Sequence, residues 1–248
     1  MSQYKTIALD ISNKIASITL QRADLNVLNI EMMNEINRAI ESLGNGADLK
    51  ALVIKAAGKA FSAGVDVSEH TEEMVEKMIS TFHRIFHLLD KMECPTISFV
   101  QGAALGGGCE LACFCDMVVA AERVKFGQPE IKVGVFPPVA TAMFPKYGFL
   151  KSVYELLLIG DTITAEQAIF PREKFDDNSK EFLNRLTNNS AVILRLTKKA
   201  IKAGLAKSFQ DSISSAEQIY LNEMMTTKDA HEGLTAFLEK RSPKWLDK

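Results

Sequence analysis

The chain of 248 residues has almost no excess of charge, few turn-forming residues and no long uninterrupted apolar run. Lys and Arg number 29 against 31 Asp and Glu, a formal net charge of −2, which disfavours a globally basic DNA-binding protein. Only 14 Gly and 7 Pro are present, too few for a collagen-like or low-complexity chain. The 4 cysteines, Cys94, Cys109, Cys113 and Cys115, lack CxxC spacing. Neither a zinc site nor a disulfide framework is expected, and reduced thiols in a cytoplasmic protein are the simplest account. Residues 1–10 carry Lys5 and Asp10 and no long apolar run, so no secretory signal is read there. The most apolar window, residues 103–121, is broken by three consecutive glycines, Glu110 and Asp116. Two carboxylates in hydrocarbon are costly, so no membrane span is expected. The window leaves a question of its own: why a core segment carries carboxylates.

What is present is a large supply of core. Hydrophobic residues make up 47%, enough for one large domain or two small ones. Ala16, Ile18 and Leu20 alternate with Ser17 and Thr19, which predicts a half-buried strand, and the run ALVIKA at 51–56 predicts another. Between them Met33, Ile36, Ile40 and Leu43 mark one face of a helix, with Asn29 as N-cap and Gly44 as stop. Val75, Ile79, Phe82, Phe86 and Leu89 predict a second amphipathic helix ending before Cys94-Pro95. TISFV at 96–100 reads as a buried strand, 102–108 as a glycine-rich turn, 109–115 as a buried helix and 116–121 as the next strand. After about Pro137 the pattern turns helical, with a helix over 151–159 stopped at Gly160 and a capping box at Thr164-Ala165-Glu166-Gln167. Ser190 and Ser208 are plausible caps, and a last helix runs from about Asp229 to Lys240. The fold class expected is an α/β core followed by an α-helical C-terminal part.

Three segments carry candidate chemistry: FSAGVDV at 61–67, GGGCEL at 106–111 and FGQPEIKVG at 126–134. Glycines let backbone amides approach a ligand, and a helix start presents unpaired N–H groups with partial positive charge. Together they suit a carbonyl oxygen that becomes negative during reaction. The same glycines also suit tight helix–strand packing, and the segment alone leaves both readings open. Glu110 and Glu130 are carboxylates that, facing one substrate, would permit general acid and base work. His83 and His87 stand at helical spacing without an HExxH arrangement, so no metal site is expected. The 10 methionines and Cys109, Cys113 and Cys115 read as core fillers, and Lys198, Lys199 and Lys202 as a solvated basic face.

At these motifs the chain resembles the crotonase superfamily, the enoyl-CoA hydratase/isomerase family, and the likeness extends to the tail DAHEGLTAFLEKRSPKW at 229–245. The resemblance implies ββα units forming a spiral core over residues 1–188 and a helical trimerisation region over 189–248. It implies an acyl-CoA substrate, with coenzyme A as part of that substrate rather than a separate cofactor, and a homotrimer or hexamer. It places the oxyanion hole at the Val65 and Gly107 amides and matches both hydratase acids, Glu110 and Glu130, which stand 20 positions apart. Contacts to the substrate's CoA part fall on Arg22, Leu25, Val27, Ala63, Asp66 and Val67, with Lys240 reaching phosphate from a neighbouring subunit. The activity implied is hydration of an enoyl-CoA in fatty acid metabolism. GVFPPVA at 134–140 with SAGVDVSEHT at 62–71 looks like the cyclohexa-1,5-diene-1-carbonyl-CoA hydratases of aromatic degradation; ordinary loop drift in a straight-chain hydratase is the alternative. After Ala168 the family's usual Gly-Leu-Val segment is absent, and the chain runs into Ile169-Phe170-Pro171. Competing readings are an isomerase or another crotonase-type lyase, and a non-catalytic subunit that binds CoA or, through Lys198–Lys202, RNA.

Overall fold

The computed structural model describes residues 4–47, 49–121, 124–146, 150–163, 188–205, 207–246 and 248. The capping box at Thr164-Gln167 and the shortened segment after Ala168 lie outside these residues, as do the side chains of Lys198 and Lys202. The chain divides into two compact units, Met1–Phe126 and Gly127–Lys248.

The first unit is built on a five-stranded sheet. Strands β1 (Ile7–Ser12) and β2 (Ile15–Leu20) form an antiparallel hairpin, registered Ile7 with Leu20 and Ser12 with Ile15. Its two-residue loop, Asn13 and Lys14, has φ of 51° and 63°, which matches the right-handed twist of the flanking strands. Strands β3 (Ala51–Ala56), β4 (Thr96–Val100) and β6 (Met117–Ala120) add in parallel, in the order β1-β2-β3-β4-β6. The short strand β5 (Ala104–Leu105) lies outside that sheet. Helices α1 (Ile30–Ser42) and α2 (Val75–Leu89) follow the sequence periodicity, and Asn29 caps α1 by accepting the Met32 N–H at 3.0 Å. The two helices pack on each other, and the Asn37 amide donates across to Thr81 O at 2.9 Å.

Two features depart from simple apolar patterning. Strand β6 is apolar yet exposed along its whole length, with Met117, Val118 and Val119 all in solvent, so only part of the most apolar window is core. Glu35, in contrast, is buried inside α1. Its carboxylate accepts the Lys5 and Thr6 amides at 2.9 and 2.8 Å and the Thr6 hydroxyl at 2.6 Å, anchoring the start of β1. Burial pushes the Glu35 carboxyl up, but these three donors and Arg38 outweigh it and hold it below the ordinary value of 4.5. A depressed folded value stabilises the protein above the unfolded value and loses that contribution as pH falls through the folded one. The stability difference between wild type and Glu35→Gln is therefore expected to stay level from neutral pH down to the ordinary 4.5 and to shrink below it. Urea unfolding across that range reads it, and a difference still level at about pH 3 contradicts the assignment.

The second unit is mainly helical: α4 (Pro138–Met143), α5 (Leu150–Ile159), α6 (Ala191–Gly204), α7 (Phe209–Asn222) and α8 (Lys228–Leu238). Every residue of α4 is buried, and it packs between α6 and α7. Ser208 and Thr227 cap α7 and α8 by accepting the Asp211 and Ala230 amides, both at 3.1 Å. Ser190 accepts the Ile193 amide at 3.4 Å at the start of α6, and its hydroxyl donates to the buried Asp229 at 2.6 Å. The other Asp229 oxygen takes the Leu246 amide at 2.7 Å, which ties the C-terminal tail back to α8. Among the described residues no helix is long and apolar enough to cross a membrane.

Candidate active site

In the first unit the glycine run becomes a helix start. Helix α3 (Gly107–Phe114) begins two residues earlier than its sequence suggests, with Gly106 as N-cap at φ 51°. Glycine's poor helix propensity favours a turn reading, but the packing needs glycine inside the first turn. A Cβ on Gly107 would lie 2.7 Å from Val65 Cγ2, and one on Gly108 would lie 2.6 Å from both the Cβ and the carbonyl oxygen of Ser62. Residues 62–65 and the start of α3 therefore touch backbone to backbone. The Leu105 amide donates to Ser62 O at 2.9 Å, which fixes that approach.

The approach aligns two donors. The Gly107 amide is among the orphan N–H groups of a helix start. The Val65 amide sits where Leu28 bonds to either side of it: Leu28 N–H donates to Gly64 O at 2.8 Å, and Asp66 N–H donates to Leu28 O at 3.0 Å. Neither the Val65 nor the Gly107 amide donates to an acceptor among the described residues. Two unspent amides on abutting segments are what an anionic oxygen requires. Glu110 follows in the same helix, buried at 2% exposure, its own amide closing the first turn on Gly106 O at 3.0 Å. Asp116, the second carboxylate of the apolar window, has a structural explanation: it accepts the Thr96 amide at 2.7 Å and the Thr96 hydroxyl at 2.9 Å.

Of the residues expected to hold the CoA part, all but Lys240 lie in the two segments 22–27 and 63–67 of the first unit. The Ala63 amide donates to Leu25 O at 2.9 Å. The Arg22 guanidinium donates to Val27 O at 2.9 Å and lies 3.9 Å from the Asp66 carboxylate, so Arg22 is partly engaged by the protein itself. Asp66 caps the turn Val67–Glu69 by accepting the Ser68 amide at 3.1 Å. Leu25 is exposed, while Val27, Ala63, Asp66 and Val67 are half-buried. Beside them burial pushes the Glu69 carboxyl up, although it accepts the Ile30 amide at 2.8 Å, and burial pushes the His70 imidazole down.

Two positioning residues escape a motif-by-motif reading. Asn26 is fully buried; its side chain donates to Ala57 O and Ala60 O at 2.7 and 3.1 Å and accepts the Arg22 amide at 2.8 Å. The Ser62 hydroxyl donates to Asn26 O at 2.8 Å and accepts the Gly64 amide at 3.1 Å. The only signal in the sequence is that Asn adopts left-handed backbone more readily than most residues, as Asn26 does at φ 47°.

In the second unit Glu130 stands in a 3₁₀ turn, Pro129–Val133, that ends at Gly134 with φ 81°. Helix α8 lies hard against this turn. A Cβ on Gly233 would collide with the carbonyl of Val133, and one on Gly134 would lie 2.7 Å from Asp229 O. Gly233→Ala is expected to cost about 1–3 kcal/mol in urea unfolding, the scale of forced overpacking; an unchanged midpoint contradicts the close approach. Phe136 points into this unit's own core, its ring 5.4 Å from that of Tyr220 at 73°. The bulk of residues 134–140 thus serves helical packing. Lys240 is exposed just past α8, with φ 55°. Among the described residues no cluster of three or more His, Cys, Asp or Glu is placed to hold a metal.

Residues 10–248 match the family model for enoyl-CoA hydratase/isomerase. The chain belongs to the enoyl-CoA hydratase/isomerase family. It is 32% identical over 254 residues to a probable enoyl-CoA hydratase of Mycobacterium bovis, covering 98% of both chains. It is 31% identical over 259 residues to the crotonyl-CoA hydratase of Syntrophomonas wolfei, covering 99% of both. A solved enoyl-CoA hydratase from Mycobacterium avium superposes with a TM-score of 0.71 at 24% identity, over 98% of this chain and 99% of that one. At that identity the likeness speaks for the fold, which is the α/β crotonase fold the motifs led us to expect.

Proposed function

We propose that this enzyme adds water across the α,β double bond of an acyl-CoA thioester. The single observation that carries the reading is the pair of unspent amides, Val65 and Gly107, on segments that abut at the start of the helix holding Glu110. In this reading the thioester oxygen accepts both amides as negative charge builds on it. Glu110 and Glu130 divide the acid–base work on one water: the ionised carboxylate takes a proton from the water attacking the β-carbon, and the protonated one delivers a proton to the α-carbon.

Arg22, Leu25, Val27, Ala63, Asp66 and Val67 bind the CoA part, which belongs to the substrate, so no separate cofactor is invoked. The assembly proposed is a cytoplasmic homotrimer or hexamer through residues 189–248, with Lys240 reaching a neighbouring subunit's substrate. Phe237 and Leu238, both more than half exposed beside Lys240, support a surface covered by another copy. Light scattering at a single-chain mass overturns that assembly.

For the acyl group, a short straight chain is the first choice, because the bulk at 134–140 packs inward at Phe136. The cyclic dienoyl-CoA reading rests on the sequence of that segment alone. A panel of crotonyl-CoA, longer enoyl-CoAs and cyclohexa-1,5-diene-1-carbonyl-CoA, followed by product mass, separates the two. Hydration of straight chains alone eliminates the ring substrate, and hydration of the ring alone overturns the first choice.

A further inference from the structure

Helix α3 carries a second arrangement that hydration does not use. Cys109 and Cys113 stand one turn apart, with their sulfurs 3.9 Å from each other. Cys109 is buried at 1% exposure, while Cys113 reaches the surface in part. The remaining thiols are placed differently: Cys115 is turned back on its own helix, 3.7 Å from Leu111 O, and Cys94 is buried in the first unit.

A disulfide fits this pair poorly. Cβ atoms one helical turn apart are about 5–6 Å from each other, whereas a disulfide needs about 3.5–4.5 Å. Closing an S–S bond would therefore unwind the turn that contains Glu110. A single atom that bonds both sulfurs needs no such change, because it spans two thiolates separated by more than a bond length. We propose that Cys109 and Cys113 form a dithiol site for a trivalent, thiophilic group of the arsenical class.

The reaction balances without a change of oxidation state. An organoarsenic dihydroxide meets the partly exposed Cys113 first: one As–S bond forms, one As–O bond breaks, and the thiol proton leaves with hydroxide as water. Cys109 then closes the ring in the same way, releasing a second water, with arsenic trivalent throughout. The order follows from the thiols themselves. The hydrogen bond it shares with Cys109 holds the Cys113 thiol below the ordinary cysteine range, whereas burial pushes Cys115 up to about 12 and also raises Cys94. Once the first bond is made, the second is intramolecular and needs no encounter from solution.

The test uses the full chain and phenylarsine oxide at equimolar concentration. Intact mass is expected to show one phenylarsenic per chain and a thiol count falling from 4 to 2. Cys113→Ser and Cys109→Ser should bind at least about tenfold more weakly, having lost the chelate. Release by a dithiol such as 2,3-dimercaptopropanol, but not by an equal concentration of a monothiol, completes the expected pattern. Absence of the adduct on folded wild-type protein overturns the proposal, as does an adduct retained undiminished in Cys113→Ser and Cys113→Ala. Mass and thiol count do not depend on turnover, so this outcome is separate from that of the hydratase reading. If both hold, the adduct also slows hydration, because the helix it occupies carries Gly107 and Glu110.

Discussion

Glu110→Gln is expected to lower the hydration rate by about 10²-fold or more, and Glu130→Gln to do the same, the usual scale for losing a general acid or base. Glutamine keeps the length of the side chain but removes its charge and its proton transfer, and turns one acceptor oxygen into an NH2 donor. The backbone bonds that close both turns do not involve the side chains. The first turn of α3 is closed by the backbone of Glu110, whose amide donates to Gly106 O, and the 3₁₀ turn at Glu130 is closed by the Val135 amide on Glu130 O at 3.1 Å. The loss should appear in kcat with KM little changed, because the residues proposed to bind the CoA part are unaltered. If the two acids act as a unit, as proposed, the double variant should be scarcely slower than either single one. Loss of the enoyl thioester absorbance measures the rate, and circular dichroism confirms the fold. Wild-type turnover in both purified single variants contradicts the assignment.

Gly108→Ala should have an effect of similar size through the other half of the machinery. The added Cβ meets Ser62 at 2.6 Å, at its Cβ and at its carbonyl oxygen. Ser62 has little freedom to yield. It is fully buried, its hydroxyl holds Asn26 O, and its carbonyl accepts the Leu105 amide. The start of α3 and the 62–65 segment must separate, and those are the segments that bear the Gly107 and Val65 amides. Loss of one oxyanion donor costs about 10²–10³ in kcat, so a fall on that order is expected, with about 1–3 kcal/mol of stability lost to overpacking. Gly44→Ala is the matched control. Gly44 has φ +62° and nothing within 4 Å of an added Cβ, so only backbone strain of about 1–2 kcal/mol is incurred. Its kcat should match wild type. Normal kcat in folded Gly108→Ala, or a similar loss in Gly44→Ala, contradicts the role given to the close approach.

The contrast between these two glycines shows which parts of the structure were legible in the sequence. Helices α1 and α2 could be bounded from their apolar spacing and from Asn29, because an amphipathic helix writes its burial into a period of 3.6 residues. The hairpin partner and parallel neighbours of β2 follow no such local rule, since strand pairing depends on residues far apart in the chain. Helix α3 was misplaced by two residues because propensity argues against glycine in a helix, while the backbone of Ser62, more than forty positions earlier, requires it. The exposure of β6 was hidden for the same reason: Met117, Val118 and Val119 look like core until their surroundings are known. Glu110 and Asp116 looked alike as carboxylates in an apolar window. The contact with Thr96 is what marks Asp116 as structural. The family motifs pointed to Val65, Gly107, Glu110 and Glu130 as the candidate site. They did not reach Asn26 or the Ser62 hydroxyl, whose role is to hold those motifs in place.

Water addition itself is the claim on which the rest depends, and it is tested most directly by incubating the purified chain with crotonyl-CoA in oxygen-18-labelled water. The expected product is 3-hydroxybutyryl-CoA carrying one labelled oxygen on the β-carbon, formed by wild type and suppressed in Glu110→Gln and Glu130→Gln. Recovery of crotonyl-CoA with no labelled hydroxyacyl product, or of a double-bond isomer with no oxygen incorporated, contradicts the account.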